Sequence, residues 1–321
     1  MSVATESEQL YPIKFLPHYK EVLWGGTKIS EYKGVDLHDS NVGESWEISA
    51  VPGSESVVAA GPDAGLTITQ VIKKYGSRLV GKTVYEEFGT TFPLLVKIID
   101  ANKDLSFQVH PDNEMARARH NCFGKTEMWY IIDCRPDARL YAGLNQDTTP
   151  EDYERRIEDG SIMDIVTCHK TVPGDIYFLP PGCTHSIGAG NLLAEIQQTS
   201  DITYRVYDYK RRDANGNYRQ LHTDLAREAV DYRAFDSKMD YEKSGKCSKL
   251  VDCDFFRTSL LKVEGHQSYH NERDSFLIVM CIEGDAQIGS TTLRRGETLL
   301  VPAEMKDVDI QGTATLLLAT V

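Results

Sequence analysis

The chain has 321 residues and a mass of 36.0 kDa, enough for two domains or one large domain with an appendage. Hydrophobic residues at 41% and aromatic residues at 9% supply a sizeable core and exclude a disordered chain. With 35 Lys plus Arg against 48 Asp plus Glu the net charge is −13, which argues against nucleic acid or an anionic membrane as the main partner. A small anionic substrate is not excluded, because it feels only the field within a Debye length of ~8 Å.

Taken in chain order, the N-terminus MSVATESEQL is polar and acidic and has neither the basic nor the apolar region of a secretory signal. The stretch LTITQVIKKYGSRLVG places Leu66, Ile68, Val71, Ile72 and Tyr75 near helical spacing. Short β-type runs follow: FPLLVKIID (92–100), LSFQVHP (105–111), EMWYIID (127–133), GDIYFLPPG (174–182), NLLAEIQQT (191–199) and ITYRVYDY (202–209). Between them, TTPEDYERRIEDGSIMDIV predicts a helix with Thr148 or Thr149 as N-cap, Pro150 at the first helical position and acids in the first turn. A further short helix starts at Asp224. The polar stretch 236–249 predicts a linker, after which β runs resume. A short repeat crosses it: Gly174, five residues, Pro180, and Gly296, five residues, Pro302. His185 follows the first Pro by five residues and Asp307 the second, so a metal site, if present, belongs to the first half. The pattern predicts a mainly β protein of two related β-barrels in tandem, a larger domain over 1–236 and a smaller one over 237–321, and the first is the one expected to be catalytic if it carries the metal site.

The longest apolar run, Phe276 to Ile282, is too short to span a bilayer. The seven cysteines are an odd number without C-x-x-C spacing, as expected of free thiols in a reducing cytoplasm.

In Leu105 to Pro111, strand alternation sends Leu105, Phe107 and Val109 one way and Ser106, Gln108 and His110 the other. The polar trio either faces solvent or faces inward, where each unsatisfied group costs roughly 1–3 kcal/mol unless a partner or ligand meets it. Glu127 opens an otherwise apolar run, as either a surface strand-end carboxylate or a ligand. His185, in a tight apolar turn, is either a satisfied core histidine or a ligand. Together Gln108, His110, Glu127 and His185 offer two imidazoles, a carboxylate and an amide oxygen, a set suited to Zn²⁺ or another first-row divalent ion in an open site. Lys97, Lys125 and Arg205 sit near these runs. They are either edge or solvated residues or a positive pocket for a phosphate or a developing enediolate. The other histidines receive no role. No dinucleotide fingerprint, P-loop, nucleophile elbow or H-E-x-x-H is present.

From Tyr11 to Val321 the chain resembles the type I mannose-6-phosphate isomerases (phosphomannose isomerases) in their short bacterial form. The resemblance is carried by FPLLVKIIDANKDLSFQVHPD, GKTEMWYII, VPGDIYFLPPGCTHSIG and EIQQTSDITYRVYDYKR. It implies a cupin (jelly-roll) fold with a second, ligand-free cupin-like domain, and one Zn²⁺ held by Gln108, His110, Glu127 and His185. It further implies a substrate pocket with Lys97, Ser106, Lys125 and Arg205, Arg205 being catalytically important and Asp201 near the active site. The implied activity is the interconversion of mannose 6-phosphate and fructose 6-phosphate through a cis-enediol. The proton-transfer base is not legible; Lys125, Asp201 and a water are candidates. The expected partner is the sugar phosphate alone, bound by a monomer or weak homodimer. The competing readings are a non-catalytic sugar-phosphate-binding cupin and an iron-dependent cupin dioxygenase. The second usually carries His-x-His where this chain has Gln108-Val-His110.

Overall fold

A computed structural model of the chain describes residues 9–38, 41–212 and 216–321. It is mainly β, and all six runs named above form strands, among them Leu94–Ala101, Phe107–Val109, Glu127–Cys134 and Tyr204–Tyr207. Among the described residues no helix is long and apolar enough to cross a membrane.

The chain divides into two compact units, but not at a single cut after residue 236. One unit comprises 1–16, 56–92 and 243–321; the other comprises 17–55 and 93–242. Strand pairing explains why N-terminal segments join the C-terminal unit. Ile13 pairs with Leu300, and Phe15 pairs with Val58, so both segments extend the eight-stranded sheet built from the C-terminal strands. That sheet buries one continuous apolar cluster, including Leu261, Val279, Leu299 and Leu316.

The helical stretch expected over residues 66–81 is real but broken. Thr67 caps the helix Ile68–Tyr75 by accepting from the Gln70 amide, and Gln70 returns the bond to the Thr67 N–H. Ser77–Val80 and Lys82–Phe88 follow as separate turns. The break at Gly81 has a steric origin: its φ is +94° and a Cβ there would lie 2.0 Å from the Asp274 carbonyl oxygen. The helix Pro150–Asp159 forms as expected, with the Thr149 side chain accepting from Asp152 N–H. The stretch 236–249 is not wholly a linker, since Lys238–Met239 and Cys247–Asp252 are strands; the chain passes between units at 242/243.

The second unit contains a seven-stranded and a five-stranded antiparallel sheet. Their apolar faces form two clusters. One gathers Trp24, Leu105, Trp129, Tyr177 and Leu193; the other gathers Phe107, Val109, Tyr153, Tyr204 and Val206. The polar groups described next all belong to this unit.

Candidate metal centre and substrate pocket

In the five-stranded sheet, Phe107–Val109 lies between Tyr204–Tyr207 and His185–Ile187. Gln108 therefore has Arg205 opposite it on one side and His185 on the other. Phe107 and Val109 enter the cluster with Tyr204, which leaves Ser106, Gln108 and His110 on the opposite face, as alternation requires. Leu105 departs from that alternation: it packs with Trp24 and Trp129. Glu127 comes from the other sheet, where it pairs with Leu179 and Gln197 at the start of its strand.

The donor atoms of His110, Glu127 and His185 all lie within 4.8 Å of one another. Glu127 Oε1 is 3.3 Å from His185 Nε2, and Oε2 is 3.7 Å from His110 Nε2. Gln108 Nε2 is 3.2 Å from His185 Nε2, and a half-turn of the amide presents Oε1 there instead. His110 Nδ1–H donates to the Ile202 carbonyl at 2.8 Å and His185 Nδ1–H to the Cys183 carbonyl at 2.9 Å. Because a carbonyl can only accept, each ring carries its proton on Nδ1, and each Nε2 lone pair is turned toward the cluster.

All three side chains are buried, and among the described residues His110 Nε2 and Glu127 Oε1 have no hydrogen-bond partner. Orphaned polar atoms cost ~1–3 kcal/mol each in such a place. Burial drives the His110 ring far below its ordinary pKa and the His185 ring down to about 4. Both rings are therefore neutral near pH 7, the form that binds a metal. Burial also pushes the Glu127 carboxyl up, against the pull of Lys125, whose Nζ lies 3.2 Å from Oε2. Two neutral imidazoles, a carboxylate with an unpartnered oxygen and a reorientable amide fit a divalent cation of the zinc type.

Lys97 is buried, 3.0 Å from Glu195 and 3.7 Å from Glu44, with the Trp46 ring 5.1 Å from its Nζ. Register explains this: Trp46, Lys97, Glu195, Trp129 and Tyr177 form one rung across the seven-stranded sheet. Trp129 Nε1–H donates to Glu195 at 2.9 Å, and its ring meets His185 edge-on at 5.3 Å. Burial alone would raise the Glu195 carboxyl, but Lys97 and Lys125 outweigh it and hold the group below its ordinary value. Asp201 is exposed, with no hydrogen bond or ion pair among the described residues, and only its neighbour Ile202 touches the cluster.

Beside the cluster lies an open cavity of about 710 Å³, whose wall includes Ser106, Gln108, Arg205, Arg219, Glu44 and Trp24. Gln108 belongs both to this wall and to the donor cluster. Arg205 Nε–H donates to Ser106 Oγ at 3.3 Å and Nη1–H to the Gln220 carbonyl at 3.0 Å. Its backbone is gripped from both sides by His222: Arg205 N–H donates to His222 Nδ1 at 3.1 Å, and His222 N–H to the Arg205 carbonyl at 2.8 Å. Sequence reading misses Glu195, which acquires its neighbours only through pairing of distant strands, and His222 and Arg219, which lie outside the strands and return to Arg205 and Asp208. It also misses the helix Asn113–His120, whose signal was an Asp112 cap accepting from Met115 N–H at 2.8 Å.

The fold and the site together define a cupin with a buried metal-ligand cluster opening on a polar cavity. Comparison narrows this. Residues 13–160 match the model of the phosphomannose isomerase type I catalytic domain, and residues 246–321 match that of the mannose-6-phosphate isomerase cupin domain. A probable mannose-6-phosphate isomerase, GmuF, of Bacillus subtilis is 35% identical over 96% of this chain and 99% of its own. The mannose-6-phosphate isomerase ManA of the same organism is 35% identical over 94% and 96%. A crystal structure of the mannose 6-phosphate isomerase from Bacillus subtilis superposes with a TM-score of 0.87 at 34% identity, covering 97% of this chain and 99% of that one. The apo enzyme from Salmonella typhimurium shares the fold, with a TM-score of 0.78 at 17% identity over 97% and 99% of the two chains. The chain belongs to the type I mannose-6-phosphate isomerase family and is an isomerase of that family.

Proposed function

We propose that the chain interconverts mannose 6-phosphate and fructose 6-phosphate, with one Zn²⁺ held by Gln108, His110, Glu127 and His185. The observation that carries the reading is the convergence of two Nε2 lone pairs and an under-paired carboxylate in one buried place, next to a cavity of sugar-phosphate size. A bound zinc ion would supply Lewis-acid polarisation of substrate oxygens without redox chemistry.

The chain's own residues divide the remaining tasks. Isomerisation moves a proton between C2 and C1 and leaves negative charge on O1 and O2 in the cis-enediolate. Arg205 stabilises that charge from the cavity wall, with Ser106 fixing its Nε and the Gln220 carbonyl its Nη1. Lys125 is the base we favour, since it is buried against Glu127 whereas Asp201 is exposed. Lys125 Nζ carries the proton between C2 and C1. Lys97 serves from behind, locking Glu195 and, through Trp129, the face of His185.

A coupled assay with mannose 6-phosphate, run with and without chelator and with glucose 6-phosphate as a specificity control, tests the reading. Turnover of mannose 6-phosphate that chelation abolishes and Zn²⁺ restores is expected. Full activity after exhaustive chelation contradicts the metal role, and a preference for glucose 6-phosphate contradicts the substrate.

A further inference from the structure

Phosphate recognition is expected from Ser106 and a subset of Lys97, Lys125 and Arg205, but the two lysines are already committed. Lys97 is paired with Glu195 and Glu44, and Lys125 with Glu127, all of them largely buried. The cationic groups with charge to spare lie elsewhere in the same unit. Arg211 and Arg219 share one buried carboxylate, Asp208, with Arg205 close by. Arg211 takes most of it, in a close ion pair with Oδ1 and a second bond to the Asp104 carbonyl. Arg219 reaches Oδ2 only through Nε, at 3.5 Å, and makes no hydrogen bond among the described residues. Arg205 has no carboxylate within ion-pair distance there; its donors go to Ser106 and a backbone carbonyl.

Three positive charges on a single negative one leave an excess of two, and Arg205 and Arg219 both open onto the cavity. Half-buried guanidiniums that repel each other are costly unless an anion joins them. The acids of the same wall do not supply it. Glu44 is bound to Lys97 and to the Trp46 N–H, and Glu21 is exposed. A phosphate monoester carries close to two negative charges near pH 7 and accepts from planar guanidinium forks.

We propose that Arg219, together with the Ser106 hydroxyl, forms the clamp for the substrate's phosphoryl group, with Arg205 left to the enediolate, and that Arg219 is the residue that sets the preference for a phosphorylated over a neutral sugar. Asp208 is the anchor that aims the Arg219 fork. The assignment rests on the sugar-phosphate reading above but makes a separate demand, that the chain bind a simple phosphate dianion at this wall.

Inorganic phosphate is therefore the probe, titrated calorimetrically into the zinc-loaded full chain and, in parallel, used as a competitor of turnover. Arg219→Ala is expected to weaken phosphate binding at least about tenfold, and to cut the ratio of kcat/KM for mannose 6-phosphate over mannose about a hundredfold. R219K, which keeps the charge but loses the fork, should recover only part of the loss. Arg257→Ala, which removes an arginine ion-paired to Asp252 in the other unit, should bind phosphate as wild type does. Wild-type phosphate affinity in folded R219A overturns the clamp, as does wild-type protein that ignores phosphate. If R219A does not fold, R219Q and R219K decide by the same criterion. Phosphate binding that depends on Arg219 in a chain that fails to turn over mannose 6-phosphate would keep the clamp and remove the isomerase reading.

Discussion

Two segments of the chain share a local design and differ in everything that matters for chemistry. Gly174 and Gly296 both turn the backbone at positive φ, +85° and +79°. Each leads into a four-residue strand, Ile176–Leu179 or Thr298–Val301, that a proline ends. Five residues past that proline a new strand opens, at His185 in one case and Asp307 in the other. The His185 side chain is 1% exposed and faces Glu127; the Asp307 side chain is 77% exposed and pairs with His270 at the surface. Turn chemistry therefore repeats without repeating function. What makes the first segment a site is burial among other donors, which leaves lone pairs unmet, whereas water satisfies the second.

The contrast breaks if the two positions respond alike to truncation. His185→Ala should lose metal and lower turnover by more than about a thousandfold, measured by metal analysis alongside the isomerase assay. Asp307→Ala should retain metal and turnover. Arg205→Ala, across the strand from the same Gln108, should reduce kcat by about a hundredfold or more while metal content stays at the wild-type level. Equal losses of both would make Arg205 a structural residue.

How much of this was readable in advance divides along the same line. Gln108, His110, Glu127 and His185 were legible because each stands out locally: a polar face in an apolar strand, an acid opening a hydrophobic run, a histidine in a Gly-Pro turn. The six strands around them were legible for the same reason, since alternation and turn residues are local signals. Glu195 was not. It sits in NLLAEIQQT like any polar residue, and only the register of two neighbouring strands puts Lys97 on one side and Trp129 on the other. Arg219 and His222 are likewise unremarkable until a loop returns them to the strand carrying Arg205. The division of the chain was hidden too, because residues 13–16 join a strand almost three hundred positions later, and no local pattern encodes that pairing.

The Glu195 rung offers a stability test of smaller amplitude. Glu195→Gln leaves Lys97 buried without its nearest partner and should cost about 3–5 kcal/mol in denaturant unfolding, whereas a double change that also replaces Lys97 by Met should recover much of it. The pH dependence has a definite sign. The Glu195 carboxyl is lower in the folded chain than in the unfolded one, where it titrates near 4.3, so its contribution is complete above that value and is lost as pH falls toward about 2. Unfolding midpoints that do not decline between pH 5 and pH 3 more steeply in wild type than in the double variant would remove the ion pair from the account. The smallest expected effect is the control: Asp307→Ala should move Tm by about 1 °C at most, since its partner is an exposed histidine.

Anomalous diffraction at the zinc edge, on crystals of the zinc-loaded chain, addresses the cation directly. One strong peak is expected within bonding distance of His110 Nε2, His185 Nε2 and a Glu127 oxygen, with the Gln108 amide turned toward it. A map with no peak among those four residues, or with its peak on another part of the chain, would contradict the account.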